Sequence, residues 1–529
     1  MLNANSRFSK VPQLDIQRST WDMNFGHKAT FNAGKLIPFC ALEVLPGDTF
    51  SWDTAQVIRM RTPLNPTMDN LFYDYFYFYV PNRIIFDNWK YFLGESEDAW
   101  TSDVTYTLPT ISMLGNPGGV RDHFGLPSNP IRTYECSALP LRAYRMIWNE
   151  WFRDQNLQDP KLLNKGSIEN DYTLDDLLPV NKLHDYFTSC LPAPIKASNP
   201  IYVPLGERAP VLTSQYSTPY SNVPMTFGSM AAGVTANMVA KGSSNGVAEG
   251  KLDFNGSSGA ALSDMVPSNL WADLTQAEGA TINSLRLAFA TQRLLERDAR
   301  GGTRYRENIY SHFGVSVPDA SSQVPEYLCG ERVPINITTV LQTSGTNPET
   351  ESPLGFTGAY SHTTRSKHDF SKSFTEHGWI IGVMCVRNMN SYFQGIPKSW
   401  SRKTRFDYYW PEFANLGEQP VYNREIYHSG DSFDNQVFGY QEAWAEYRYI
   451  PSTVSGEFRT TMRDWHYSED FSALPTLSDG FIQSNPELIN RTLAVSDSVA
   501  DQFYIDMAFN VKATRPMPLY SVPGLIDHH

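Results

Sequence analysis

Residues 71–80 read Leu-Phe-Tyr-Asp-Tyr-Phe-Tyr-Phe-Tyr-Val, a run in which nearly every side chain is aromatic or large and apolar. Successive side chains on a strand point to opposite faces. One face then carries Leu71, Tyr73, Tyr75, Tyr77 and Tyr79, and the other Phe72, Asp74, Phe76, Phe78 and Val80. Neither suits open water. The Phe face fits a dry core, and the Tyr face fits a second contact layer in which rings pack and hydroxyls find partners. The run predicts an inner strand covered on both sides, in a sheet that packs inward and is also clad outside. Asp74, on the Phe face, needs a hydrogen-bond partner, because a lone buried carboxylate is costly.

Strand signals recur at both ends of the chain. Residues 36–45 and 54–61 flank Pro46-Gly47-Asp48, a turn tripeptide in which Gly supplies a positive φ. Trp379 to Val386 is a short, fully apolar strand. Residues 440–450 alternate around Trp444, Glu446 and Arg448, and 503–511 alternate with Phe503, Ile505, Met507, Phe509 and Val511 on one face. The middle of the chain differs. A helix is predicted from about Pro140 to Asn156, with Leu141, Tyr144, Trp148, Trp151 and Phe152 on one face and Pro140 in the first turn. A second is predicted from about Ile282 to Arg300, capped by Thr281 and ended by Gly301-Gly302. Between them, residues 213–280 are dominated by Gly, Ala, Ser, Asn and Thr, with Asn245-Gly246 and Asn255-Gly256 as tight-turn dipeptides. This stretch is too poor in large apolar groups to build its own core and reads as a long surface excursion. Residues 1–30 read as an extended arm, either a frayed terminus or a segment lying across a neighbour or along nucleic acid.

The chain has 529 residues and a formal net charge of −13, which argues against a protein that coats nucleic acid by bulk charge. Its 35 prolines and 34 glycines fit frequent turns, and an aromatic content of 13% calls for burial in cores or interfaces. Cys40, Cys136, Cys190, Cys329 and Cys385 are far apart and odd in number, so they read as reduced, mostly buried thiols of a chain made in a cytoplasm. No apolar run approaches the ~18 residues of a membrane span.

Catalytic and ligand motifs fail on spacing. Gly246 to Lys251 is one residue short of a phosphate-binding loop, and Leu252 stands where a Mg²⁺-binding hydroxyl belongs. There is no His-Glu-x-x-His and no paired cysteine. His362 and His368 are poorly spaced for shared ligation, and no cofactor is expected. One charge constellation stands out: Arg286, Arg293, Arg297, Arg300, Arg304 and Arg306 fall close together, interleaved with Glu296, Asp298 and Glu307. Arginine forks bind phosphate or carboxylate bidentately. The cluster can be a solvated helix face with internal ion pairs, a subunit contact or a DNA contact. Arg293, Arg297, Arg300, Arg304 and Arg306 are candidates for subunit or DNA contact, and the acidic interleaving predicts that Arg297, Arg300 and Arg304 mostly hold subunits or neighbouring segments together, with DNA second.

Several blocks closely resemble the major capsid protein of the microviruses, small single-stranded DNA phages, and of their gokushovirus branch in particular. They are Thr62 to Asn70 before the Tyr/Phe run and Pro81-Asn82-Arg83 with Trp89, Phe92, Gly94 and Glu95 after it; Phe31 to Pro38; Glu43 to Thr49; Leu141 to Tyr144; and Ile147 to Asp154. Arg297-Asp298-Ala299-Arg300-Gly301-Gly302-Thr303-Arg304-Tyr305, Trp444 to Tyr449 and Pro523 to His528 complete the set.

The resemblance implies a mainly β fold, an eight-stranded antiparallel jelly roll with long inter-strand insertions containing a few helices. It would run over 31–529, after the arm at 1–30. It implies self-assembly through aromatic-rich contacts into a T=1 icosahedral shell around circular single-stranded DNA, with a small basic DNA-binding virion protein offsetting the acidic charge. It places a variable insertion at 213–280, forming protrusions at the three-fold axes. There Phe227, Met230, Met238, Phe254 and Trp271 would gather as three chains meet, and a host cell-surface receptor would be contacted. The rival expectation from the residues is a β-sandwich carbohydrate-active enzyme or a sugar-binding module.

Overall fold

The computed structural model describes residues 17–95, 106–129, 131–197, 282–344 and 354–520, together with the backbone of six short strands between 211 and 272. The chain divides into two compact units, Met1–Pro194 with Asp298–His529, and Ile195–Arg297.

The first unit is built on strands β1 (Ser19–Asp22), β2 (Phe25–Phe31), β3 (Ile37–Val44), β4 (Thr49–Met60), β5 (Leu71–Pro81), β6 (Glu326–Pro334), β7 (Thr363–Ser373), β8 (Gly378–Asn388) and β9 (Phe503–Arg515). One sheet runs β2-β9-β4-β7, with β1 continuing the β2 edge along β9. The other runs β6-β5-β8-β3. All these pairings are antiparallel. Counted from β2, this is the 1-8-3-6 and 5-4-7-2 order of a jelly roll, in which consecutive strands alternate between the sheets except for β5 and β6, which pair with each other, and edges are limited by face-to-face packing. The second half of residues 1–30 thus lies in sheet, Phe25 opposite Phe509 and Phe31 opposite Phe503. The turn between β3 and β4 forms as its residues require: Gly47 has φ +89°, and the buried Asp48 carboxylate accepts from the Leu45 amide at 2.8 Å.

β5 is an inner strand, hydrogen-bonded on both sides and covered on both faces. The assignment of its faces is the reverse of the expectation. Tyr73, Tyr75, Tyr77 and Tyr79 point into the core between the two sheets, among Phe39, Trp52, Phe370 and Phe509. Their hydroxyls are satisfied from the opposing sheet. Tyr77 Oη accepts from Trp52 Nε1 at 3.1 Å and shares a 2.8 Å bond with Thr54 Oγ1, while Tyr73 Oη donates to Gln56 Oε1 at 3.0 Å. The Phe face instead meets a separate outer layer: Phe76 lies 5.5 Å from the Phe152 ring and Phe78 5.4 Å from that of Trp151. Asp74, 1% exposed, has its partners. Arg332 on β6 donates to both its carboxylate oxygens at 2.8 and 3.1 Å, and Arg387 on β8 donates Nε to Oδ2 at 3.0 Å.

The outer layer is led by helix α1 (Leu139–Ile147), whose Tyr144 Oη donates to Leu36 O at 2.7 Å. Pro140 sits in its first turn, as expected. The helix ends earlier than the pattern implies. It widens into a π turn at Trp148–Phe152 and stops at Arg153, which is extended. Three large rings there have separate tertiary partners: Trp148 Nε1 donates to Pro179 O at 2.7 Å, Trp151 Nε1 to Pro325 O at 3.0 Å, and Phe152 packs on Phe76. Insertion of a π turn re-aims such side chains without ending the helix outright.

The alternation at 440–450 is not a strand. A strand at Val437–Gln441 pairs with Gln419–Tyr422, after which Trp444 takes φ +62° and Ala445–Tyr447 form a 3₁₀ turn.

In the second unit, strands at Lys251–Asn255, Thr235–Lys241, Thr226–Ser229 and Met265–Pro267 form an antiparallel sheet in that order, and Val211–Leu212 pairs with Trp271–Ala272. Helix α2 (Ile282–Gly301) follows, its last residues from Asp298 counting with the first unit. It matches the predicted helix closely. Thr281, proposed as its cap, lies outside the described residues.

Candidate functional site

The arginine motif is a helix–turn–helix. α2 ends at Gly301, and α3 (Tyr305–Phe313) begins after three intervening residues. Gly302 makes the corner with φ +89°, a conformation strained for other residues, and a Cβ there would also displace the Glu307 carboxylate. Glu307 Oε2 accepts from the Arg304 amide at 3.2 Å, capping α3.

Three of the five singled-out arginines have acceptors within the first unit. Arg300 Nε donates to the buried Glu418, with Glu442 3.7 Å from its Nη1. Arg304 Nη2 donates to the carbonyls of Asn149 and Arg153, each at 3.1 Å, and its Nη1 to Glu307 at 3.1 Å. A guanidinium on carbonyls at a helix C-terminus also complements the negative end of the helix dipole. Arg306 donates to Asp319 at 2.7 Å and lies over the Trp151 ring at 4.3 Å. These side chains tie the end of α2 to the loops at 418 and 442, and α3 to the π turn and the loop at 319. Arg293 and Arg297 are exposed on the part of α2 in the second unit, and do not join them.

Of the proposed apolar cluster, Met238 and Phe254 are cross-strand partners, and Phe227 stands opposite Ala236 and Pro267 in the same sheet. Trp271 belongs to the separate two-stranded ladder, opposite Leu212. Met230 lies outside the described residues.

Beside α3 opens a cleft of about 740 Å³, with Phe76, Trp151 and Phe152 on one side and Arg153, Arg304 and Arg387 around it. Arg153 was not singled out from the sequence. Its Nη1 donates to Gln158 O at 2.8 Å, but its buried Nε, like that of Arg304, has no hydrogen-bond acceptor among the described residues. Burial first, and then the neighbouring Arg304 charge, hold its guanidinium below the usual arginine range. Arg304 Nε faces the Glu150 carboxylate at 3.6 Å, so part of the charge in this cleft is met within the chain.

A different surface lies at 398–450. Arg402 is clasped between two rings, 5.3 Å from the Tyr408 centroid and 4.3 Å from that of Tyr447, with its Nη2 donating to Glu446 at 3.1 Å. Tyr409 packs edge-on against both Trp444 and Tyr447, and Trp444 Nε1 donates to Phe413 O at 2.9 Å. Around this braced centre Trp400, Phe406, Tyr408, Trp410, Tyr449 and Ile450 are all exposed, Trp400 at 83% and Ile450 at 87%. The dense aromatic and basic run Lys398 to Trp410 was a sequence signal in plain view, but strand and helix periods do not register it.

Nothing in the described residues resembles a reaction centre. No group of three or more His, Cys, Asp or Glu there is placed to hold a metal ion. His362 lies 3.2 Å from Arg59 Nε, and His368 lies 2.5 Å from Asp53. The five cysteines are free, and burial pushes the Cys40 and Cys385 thiols up to about 12, which leaves them unreactive.

Residues 9–525 match a protein family described as "Capsid protein (F protein)". Among similar proteins, "Capsid protein VP1" of Chlamydia phage 1 is 38% identical over 587 residues, covering 98% of each chain. "Capsid protein VP1" of Bdellovibrio phage phiMH2K is 38% identical over 539 residues and that of Spiroplasma virus 4 is 38% identical over 546, each covering 98% of this chain and 97% of the relative. These matches give the enzyme and sugar-binding alternatives no support. The chain belongs to the F-type phage capsid proteins, on the gokushovirus side of the microviruses, and its role is structural rather than enzymatic: it forms a capsid.

Proposed function

We propose that this chain assembles into a T=1 icosahedral shell that encloses a circular single-stranded DNA genome, built in the cytoplasm of a bacterial host. The observation that carries this is the end-to-end likeness to phage capsid proteins in a chain whose first unit is a jelly roll. A net charge of −13 cannot neutralise DNA, so a small basic virion protein completes the charge balance. Purified chain should sediment as a megadalton particle, with particles of uniform diameter in electron micrographs. A species that remains monomeric under all assembly conditions would overturn the reading.

Within that shell, Arg300, Arg304 and Arg306 hold neighbouring segments in the geometry that contacts require, while the exposed Arg293 and Arg297 are free to reach a neighbouring subunit or DNA. Charge-removing substitutions at the first three should impair assembly even without DNA. Normal empty shells with only genome retention lost would reverse that ranking. Residues 213–280 form a three-fold projection that meets a receptor on the host surface, a reading supported by their small, polar composition. Replacing them with a short Gly/Ser linker should leave the sandwich folded and sharply reduce attachment. Intact deleted particles that attach normally would remove the receptor role.

A further inference from the structure

We infer that the aromatic platform around Arg402 is a contact between copies of this chain, and that it seats on an acidic surface of a second copy. The inference rests on the shell reading and adds to it which surface makes the contact.

Three independent observations carry it. First, residues 403–412 are exposed without a break, and Phe406, Tyr408, Tyr409 and Trp410 fall within them. Patches of this kind on a soluble chain mark surfaces covered in the assembled state. Second, the platform is rigid before anything covers it. Arg402 is fixed by two rings and Glu446, and Trp444 is held in the left-handed region, φ +62°, where bulky residues are rarely found. Strain of that kind persists only where surrounding contacts enforce it, and it gathers at functional surfaces. Braced Tyr, Trp and Arg side chains are the usual anchors of protein interfaces, because little ordering entropy remains to be lost.

Third, charge selects the occupant. Lys398, Arg402, Lys403 and Arg405 stand against Asp407, Glu412 and Glu446, a small basic excess in a chain whose net charge is −13. The rest of a second copy is therefore acidic on balance and complementary to this platform. With its basic excess the platform matches an acidic patch elsewhere on the chain better than it matches itself, which gives the head-to-tail contact that closes rings in a symmetric shell. The Trp444-to-Tyr449 block, which the resemblance singled out, then has a physical role: it supplies Glu446 and Tyr447 to brace Arg402.

The test uses the full chain. Trp400→Ser and the pair Lys403→Glu/Arg405→Glu alter exposed side chains whose removal leaves the clasp on Arg402 in place. Each should lower the shell fraction in sedimentation about tenfold or more, while the thermal midpoint of the unassembled chain stays where it is. A photo-crosslinking residue at position 400 should join two copies of the chain. If the wild-type chain assembles and these variants assemble equally well, or the crosslink goes only to nucleic acid or another virion protein, the inference is overturned and the shell reading stands. If the wild-type chain itself never assembles, both fall.

Discussion

Two aromatic runs in this chain meet opposite fates. Residues 71–80 form an inner strand, buried except for the half-buried Phe72 and Phe76, whereas the run from Trp400 to Trp410 lies on the surface. Both are rich in aromatic rings. What differs is spacing and punctuation. The first alternates with a period of two and finds a strand on each side. The second is interrupted by Lys and Arg, bounded by Pro397 and Pro411, and folds as successive 3₁₀ turns at Lys398–Trp400, Arg405–Asp407 and Pro411–Phe413. A ring buried within the chain stabilises the fold, and a ring left outside must act through a second molecule.

The sharpest way to break this comparison is to remove one ring from each side. Trp52→Ala empties a fully buried site that donates to Tyr77 and should cost about 4 kcal/mol in urea unfolding of the unassembled chain. Trp410→Ser should change unfolding by less than about 0.5 kcal/mol, as surface changes do, yet depress assembly. Equal losses of stability would erase the distinction. Asp74→Ala should come next, at roughly 3 kcal/mol, because it leaves the mostly buried Arg387 without a counter-charge. Since Arg332 is half exposed, most of that loss should be recovered in the double variant Asp74→Ala/Arg387→Met.

A smaller effect sharpens the chemistry of the Tyr face. Tyr75 Oη lies 3.0 Å from Asp369 and 3.1 Å from Glu331, and its one proton cannot serve both carboxylates. Burial raises the Asp369 carboxyl above its ordinary value of 3.8. The folded chain then holds this proton more tightly than the unfolded chain, so stability falls as pH rises from the ordinary carboxylate range through the raised value. Asp369→Asn should remove that part of the slope in a comparison of unfolding against pH. An unchanged slope would mean that the proton is held elsewhere.

Much of the sandwich was legible because period-two patterns are local. The alternation at Phe503 to Val511 and the apolar run at Trp379 to Val386 foretold β9 and β8. What escaped depends on residues far away in sequence. The pattern assigns the tyrosines to an outer contact layer, where their hydroxyls would find partners, and the Phe face to the core. Trp52, Thr54 and Gln56 on the opposing sheet satisfy those hydroxyls instead. The strand expected at 440–450 failed because Trp444 and Glu446 answer to Phe413 and Arg402 rather than to a neighbouring strand. In the candidate site, the Arg300–Glu418 pair spans more than a hundred residues, and Arg153 gained interest only once Arg304 was beside it. Spacing reveals which residues share a face, but not which faces meet.

The most direct measurement is hydroxyl-radical footprinting of the sedimented shell beside the unassembled chain. The account predicts that Trp400, Tyr408 and Trp410 are oxidised in the free chain and protected in the shell, while Tyr73 to Tyr79 are protected in both. Oxidation of the platform to the same extent in shell and free chain would contradict it.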